Sequence, residues 1–208
     1  MKFISLGLQC YTPIGIDTAK LRNYSYPFDW FHCPSKTTYE ILFILINDGI
    51  NKAIEYMTTG YTYYNYINLE GYISTTNVTK CQMNKETGLG VVHHIINDDF
   101  KDKLKRRFER FLTDILSLDN ILFIYTDGLS FQLNYYLDYI EYGVDATFYL
   151  LKIYDLIYPL NKNIQMLYFC WHERKLENNI IKYIPFEYKN TTKELSSIVC
   201  DYLITQYK

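Results

Sequence analysis

Short apolar runs alternate with longer amphipathic segments along this chain. Each run is bounded by turn residues and has the length and the β-branched or aromatic content of a buried strand. The predicted strands are Lys2–Leu6, Gly90–His94, Ile121–Tyr125, Ile164–Cys170 and Ile180–Glu187. Segments long enough to hold a crossover helix separate the first four of these strands, so the pattern indicates parallel pairing.

The longest amphipathic segment predicts a helix from about Asp99 to Leu116. Its apolar side chains fall on one face, and Asn97 or Asp98 is the expected N-cap. Residues 57–88 have no clear period and are predicted to form an irregular loop with short strands. Further helices are predicted from about Gln9 to Leu21, from Thr37 or Thr38 to Asn47, over most of 130–157 with a break near Gly143, and over Thr192–Gln206.

Strands that alternate with helices of this length predict an α/β fold. We expect one domain over residues 1–208, built as a three-layer sandwich with a mostly parallel central sheet. In such sheets, ligands bind beyond the carboxyl ends of the strands. The side chains that follow the predicted strand ends are Cys10, His93 with His94, Asp127, and His172 with Glu173.

Composition narrows the functional classes. The net charge of -2 leaves no basic surplus to neutralise phosphates, so no nucleic-acid partner is expected. No run of about 18 apolar residues and no signal peptide are present, so we expect no membrane association and a cytoplasmic location. The 5 cysteines are odd in number and have no Cys-x-x-Cys spacing, which is typical of a reducing compartment.

Cys10 is the candidate nucleophile. It follows the first strand and Gly7 at the predicted start of a helix, where unpaired amides and the helix dipole favour thiolate. The backbone amides from Gly7 through Gln9 to Cys10 would lie where an oxyanion forms during acyl transfer. The alternative is that Cys10 is a small buried hydrophobe, which is common for a free cysteine.

A thiol nucleophile needs a base that takes its proton and a third group that orients the base. His93 or His94 could be that base. The candidates for the orienting carboxylate are Asp127, Asp98, Asp99 and Asp29.

Two of these residue sets have a second interpretation. Asp29 could be a buried carboxylate that accepts backbone amides and fixes its loop. The adjacent histidines His93 and His94 beside a free cysteine could bind zinc, with an aspartate or His172 completing the site. No known ligand spacing supports zinc, so we predict no metal and no cofactor.

Several short motifs occur in an order that is typical of one family. The first group is Ser5-Leu6-Gly7 followed by Cys10, then Leu21-Arg22 and Pro27-Phe28-Asp29-Trp30. The second group is Val92-His93-His94, then Arg106-Arg107-Phe108-Glu109-Arg110-Phe111 and Ile121-Leu122-Phe123-Ile124. Together they resemble the papain-like cysteine peptidase family, a domain of unknown function that occurs in large DNA viruses and bacteria. The resemblance covers about residues 3 to 126.

The resemblance implies Cys10 as nucleophile and His93 as base, with Asp29 in the site region. An acidic residue commonly follows the family's histidine, and His94 takes that place here, which leaves open which histidine is the base and whether Asp98 or Asp99 substitutes. The family's name implies a papain-like α+β fold, in which the thiol begins a helix packed on an antiparallel sheet. We keep that fold as the alternative to the parallel sheet.

The pattern also makes a prediction about the arginine-rich helix. We expect Arg106, Arg107 and Arg110 to point partly toward solvent or toward an acidic loop residue such as Asp29, because the guanidinium fork holds a carboxylate well.

These features predict a cysteine-dependent hydrolase or acyl transferase acting on an amide, isopeptide or ester. Its substrate would be a peptide, a protein or a glycan ester. The alternative is a catalytically inactive binding or scaffold protein, since the chain has 23 tyrosines and the block Tyr61–Tyr72 could form an interaction surface. Abundant Tyr, Ile, Asn and Lys are also typical of an AT-rich genome, which suits a viral protein that acts in the host cytoplasm.

Overall fold

The computed structural model describes residues 1–7, 11–66, 79–84, 86–91, 95–126, 143–170, 179–186 and 192–208. The elements in chain order are β1 (Lys2–Ser5), α1 (Tyr11–Thr18), β2 (Phe31–His32), α2 (Ser35–Asn47), α3 (Ile50–Thr58), β3 (Tyr61–Tyr66), β4 (Thr79–Asn84), β5 (Gly90–Val91), α4 (Asp98–Leu116), β6 (Ile121–Thr126), α5 (Gly143–Ile157), β7 (Ile164–Cys170), β8 (Ile181–Pro185) and α6 (Thr192–Tyr207).

The central sheet has the strand order β1-β6-β7-β8, and each of its pairings is parallel. Every residue of β6 is buried, as expected for a strand covered on both faces. The predicted α/β fold is therefore confirmed. The papain-like α+β alternative does not describe this sheet, because β1, the strand that leads to Cys10, pairs in parallel with β6.

Alternate residues of the central strands enter two separate cores, which defines the three layers. Ile4 and Phe123 belong to a core shared with α2, α3, α4 and α5. Phe3 and Leu122 belong to a second core, which α1 and α6 complete on the other face. Since β1, β6 and β7 are parallel, they end at one edge, which we call the carboxyl edge.

A second, smaller sheet is antiparallel and has the order β2-β5-β4-β3. Because β5 lies in this sheet, the prediction that His93 and His94 follow a strand of the parallel sheet is wrong. The apolar run before them is short, and a two-residue strand has no pattern that reveals its partner. The structure also contains α3, which the sequence pattern did not predict and which overlaps the predicted loop at residues 57 and 58. Of the tyrosine block, Tyr61–Tyr66 forms β3, and residues 67–72 lie outside the described residues.

The helix predictions are confirmed over most of their length. The structure places α4 at Asp98–Leu116 and α6 at Thr192–Tyr207, within one residue of the predicted bounds. The prediction of a cap at Thr37 or Thr38 is wrong, since α2 begins at Ser35 without a side-chain cap. The helix α5 begins at Gly143, and residues 127–142 lie outside the described residues.

Asn97 caps α4, because its Oδ1 atom accepts a hydrogen bond from the backbone amide of Phe100 at 2.9 Å. Asn97→Ala leaves this amide without its partner and is expected to lower the free energy of unfolding by about 1 kcal/mol. Asn47→Ala is the matched control, because Asn47 is exposed at the end of α2, and its loss should change stability by less than about 0.5 kcal/mol. Urea unfolding measures both variants, and equal effects would contradict the capping role.

Candidate active site

Of the predicted site residues, the structure describes Gly7, Asp29, Asp98 and Asp99. Asp98 and Asp99 are exposed in the first turn of α4, where they form ion pairs with Lys101 and Lys103 of the same helix. The others, namely Gln9, Cys10, His93, His94, Asp127 and His172, lie outside the described residues. The described segments that flank these residues define the region of the site.

Three of the flanking segments start from the carboxyl edge. The strands β1, β6 and β7 end there at Ser5, Thr126 and Cys170. Asp127 follows Thr126 directly in the sequence, His172 comes two residues after Cys170, and α1 begins at Tyr11, the residue after Cys10. Because these strands are parallel, the segments that carry Cys10, Asp127 and His172 all begin at the carboxyl edge of the sheet.

A pair of buried hydroxyls joins two of these segments. Thr12 Oγ1 and Thr126 Oγ1 are 3.0 Å apart, and both side chains are fully buried. Thr12 lies in the first turn of α1, two residues after Cys10, and Thr126 directly precedes Asp127. This hydrogen bond therefore fixes the start of α1 to the end of β6.

Gly7 turns the chain after β1. Its φ of +110° is a conformation that L side chains rarely adopt. A Cβ atom placed on it would lie 2.9 Å from both the Cβ atom and the carbonyl oxygen of Cys33. The turn is also held on both sides, because Leu6 N donates to Ile124 O at 2.9 Å and Leu6 O accepts from Thr38 Oγ1 at 2.9 Å. Only glycine fits this position without displacing Cys33.

Gly90 closely approaches His32, the neighbour of the Cys33 that Gly7 contacts. A Cβ atom on Gly90 would lie 3.2 Å from the Cβ atom of His32. The pairing of β2 with β5 explains this contact, since His32 is opposite Gly90 in the register. The His32–Cys33 segment thus contacts two glycine backbones.

This arrangement relates the two residues that the sequence pairs as nucleophile and base. Gly7 precedes Cys10 by three residues, and Gly90 precedes His93 by three residues. The His32–Cys33 segment therefore lies between Gly7 and Gly90, the two glycines that precede the candidate nucleophile and the candidate base in the sequence.

Sequence reasoning omitted His32 from the site. It lies half-buried in the segment that links the two glycines. The available signal was its position two residues after the Pro27-Phe28-Asp29-Trp30 motif, but no strand or turn pattern showed that this motif leads to Gly7.

Asp29 is 2% exposed and is held by its own loop. Its Oδ2 atom accepts hydrogen bonds from Arg22 Nη2 at 2.6 Å and from the backbone amide of Tyr26 at 2.7 Å. Burial raises the pKa of Asp29 to about 6, although the charge of Arg22 and the Tyr26 amide act in the opposite direction. These contacts favour the interpretation that Asp29 fixes its loop.

The network around Asp29 extends toward the amino end of β1. The hydroxyl of Tyr26 donates to Asp114 Oδ2 at 2.6 Å, and Lys2 forms an ion pair with Asp114. Lys2 begins β1, whereas Gly7 follows its other end. The Asp29 network is therefore connected to the sheet at the end opposite the carboxyl edge.

Two of the sequence motifs that carry the family resemblance pack on each other. The loop that contains Pro27-Phe28-Asp29-Trp30 runs along α4, which contains the arginine-rich motif from Arg106 to Phe111. The contacts in order are Tyr26 with Asp114, Phe28 with Phe111 at a ring distance of 6.3 Å, Asp29 near Arg107, and Phe31 with Phe100 at 5.8 Å. The two motifs therefore share one buried interface.

The arginines of α4 divide between solvent and this interface, as predicted. Arg106 is exposed, and the guanidinium of Arg110 lies 5.7 Å from the ring centre of Tyr24. Arg107 is buried, and its charge interacts with that of Asp29. The ion pair with Asp29 within 4 Å, however, comes from Arg22 and not from α4.

The described residues contain neither a cluster of metal ligands nor a helix suited to span a membrane. In that part of the chain, no group of three or more His, Cys, Asp or Glu residues is placed to hold a metal ion. The zinc alternative rests on His93 and His94 and stays untested. None of the described helices is long and apolar enough to cross a membrane.

The fold and the site define the class of protein. It is an α/β domain whose candidate thiol lies in the sequence between β1 and α1. The model of one family, described as "Putative papain-like cysteine peptidase", matches residues 1–134. The match covers more than half of the chain, and the chain belongs to this family. Comparison with curated proteins finds no match, and comparison with solved structures finds none either.

Proposed function

We propose that this protein is a cysteine-dependent hydrolase or acyl transferase in which Cys10 is the nucleophile and His93 the general base. The observation that carries the proposal is the contact of the His32–Cys33 segment with both Gly7 and Gly90. Membership of a cysteine peptidase family adds support. The proposed substrates are amides, isopeptides or esters of a peptide, protein or glycan, acted on in the cytoplasm.

The proposed reaction is acyl transfer through a thioester. His93 takes the proton of the Cys10 thiol, and the thiolate attacks the carbonyl carbon. The tetrahedral intermediate collapses with cleavage of the bond to the leaving group, which takes the proton from the imidazolium. Water, or a second nucleophile in a transferase, then attacks the thioester and releases Cys10.

The amides that would stabilise the oxyanion lie after Gly7. The Gly7 amide already donates to Ser5 Oγ at 3.4 Å. The proposed donors are therefore the backbone amides of Gln9 and Cys10, at the start of α1, where the helix dipole adds a favourable field.

Labelling with iodoacetamide tests the nucleophile. Cys33, Cys170 and Cys200 are buried in the fold, so they should react only on unfolding. Cys10 is expected to react first at pH 7, with a rate that titrates below the ordinary thiol pKa of about 8.5. Peptide mapping by mass spectrometry gives the rate for each cysteine. Labelling of Cys10 no faster than that of the buried cysteines would refute the proposal and leave the binding or scaffold alternative.

The same measurement identifies the base. His93→Gln is expected to slow the labelling of Cys10 about 10²-fold at pH 7, because the thiol loses the group that shares its proton. His94→Gln is the matched control, one residue further along the chain, and should change the rate less than twofold. A larger effect at His94 would assign the base to that residue and contradict the choice of His93.

A further inference from the structure

Two helices of the first core, α2 and α5, share a row of aromatic side chains that reaches the surface. The ring of Tyr39 lies 6.1 Å from that of Phe43 on α2 and 6.0 Å from that of Tyr149 on α5. Tyr149 in turn lies 5.1 Å from Phe148. Phe43 is 46% exposed and Phe148 is 52% exposed. We call these four residues the aromatic face. Exposed apolar side chains are common singly, but a contiguous row on neighbouring helices marks an interaction surface.

The ammonium of Lys152 lies over the aromatic face and restricts the kind of partner that fits. Its Nζ atom is 4.6 Å from the ring centre of Phe148, 5.3 Å from that of Tyr39 and 5.8 Å from that of Tyr149. The ammonium thus occupies the space above these rings in which a sugar ring or a nucleic-acid base would stack. Lys152 is exposed, and no carboxylate of the described residues forms an ion pair with it. A fitting partner therefore covers the exposed rings and supplies a carboxylate.

The protein carries such a carboxylate on the opposite flank of the same face. Glu40 follows Tyr39 in α2 but faces α3, where its Oε2 atom accepts a hydrogen bond from the hydroxyl of Tyr56 at 2.6 Å. Its Oε1 atom is 3.9 Å from Lys36 Nζ, beyond hydrogen-bond distance. Lys152 thus flanks the rings on the α5 side, and Glu40 flanks them on the α3 side. A two-fold axis that runs along α2 exchanges the two flanks and brings the two charges together twice.

We propose that the aromatic face is the interface of a symmetric homodimer. The exposed rings of the two copies cover each other, and Lys152 pairs with Glu40 of the partner subunit on both flanks. The occupant is a second copy because one surface holds both the cation and the carboxylate that a two-fold axis joins. The net charge of -2 opposes self-association only weakly.

Sedimentation velocity of the full chain from about 1 to about 100 μM tests the dimer. The wild type is expected to reach twice the mass of one chain within this range. Phe148→Asp should weaken dimerisation about 100-fold, because the two-fold axis buries the unpaired carboxylate twice. Ile204→Asp is the matched control. Ile204 is 40% exposed on α6, which covers the other face of the sheet, and its replacement should leave the dimer unchanged.

Mixing two charge variants tests the pairing itself. Lys152→Glu and Glu40→Lys each bring like charges together on both flanks, so each alone should weaken dimerisation about 100-fold. An equimolar mixture of the two should form a heterodimer, because both flanks then join opposite charges. This result also shows that both variants are folded.

A wild type that stays monomeric over the whole range would overturn the homodimer and leave the aromatic face to a different partner. A dimer that Phe148→Asp weakens no more than Ile204→Asp does would overturn it as well. A mixture of the charge variants that stays monomeric would refute the pairing of Lys152 with Glu40. None of these measurements involves Cys10, so their failure would leave the proposed function intact.

Discussion

Replacing Gly7 with alanine is expected to lower the free energy of unfolding by about 3–5 kcal/mol. The φ of +110° strains any residue with a Cβ atom, at a cost of roughly 1–3 kcal/mol. The new methyl group would also lie 2.9 Å from the backbone carbonyl oxygen of Cys33, and overpacking of this kind costs about 1–3 kcal/mol more. Urea unfolding at pH 7 measures the loss.

Gly49→Ala separates the two causes. Gly49 also has a positive φ, +91°, but nothing lies within 4 Å of its Cβ position. Its replacement should cost only the strain, about 1–2 kcal/mol. Equal losses at Gly7 and Gly49 would show that the contact with Cys33 does not constrain the turn. If the contact with Cys33 does constrain the turn, Gly7→Ala should also slow the labelling of Cys10 in the protein that remains folded, whereas Gly49→Ala should not.

The second large effect is a pH dependence that comes from Asp29. Its pKa is raised from 3.8 to about 6 in the folded protein, so between these values the folded state binds more protons than the unfolded state. Stability from this group is therefore present at low pH and is lost as pH rises from about 4 to about 6. At 1.36 kcal/mol per pH unit, the change is about 3 kcal/mol.

Asp29→Asn removes this titration. Relative to the variant, the wild type is expected to lose about 3 kcal/mol of unfolding free energy between pH 4 and pH 7. Asp99→Asn is a control with the opposite sign, because Lys103 lowers the pKa of the exposed Asp99 and the stability it provides is lost as pH falls. Urea unfolding over this pH range measures both differences. A wild type and an Asp29→Asn variant that run parallel across it would show that burial does not dominate at Asp29.

Elements of the fold were predictable from sequence where their own pattern of apolar residues shows which faces are buried. The strand Ile164–Cys170 and the helix Asp98–Leu116 were found within one residue, because apolar periodicity reports directly which faces are buried. The pairing of β5 was not predictable. Gly90–Val91 is too short to carry a period, and its place in the antiparallel sheet depends on β2 and β4, which lie far from it in sequence.

The candidate site likewise has one part that the sequence predicted and one part that it left open. The sequence indicated Cys10 through the strand, the glycine and the helix start around it, which are all local signals. The position of Asp29 was open, and the structure connects it to Arg22, Tyr26 and the start of β1, not to the carboxyl edge. No local pattern could show this, because Asp114 and Arg107 come from a helix about 80 residues later.

By itself, then, the sequence determined the α/β class, the parallel sheet and the family, since these follow from periodicity and from short motifs. Only the tertiary structure decided that the chain at His32–Cys33 packs against both Gly7 and Gly90, and that Arg107 is buried with one unused donor. The physical reason is that close backbone approach and unpaired charge are properties of contacts between distant segments. A residue's own neighbours in the chain carry no record of them.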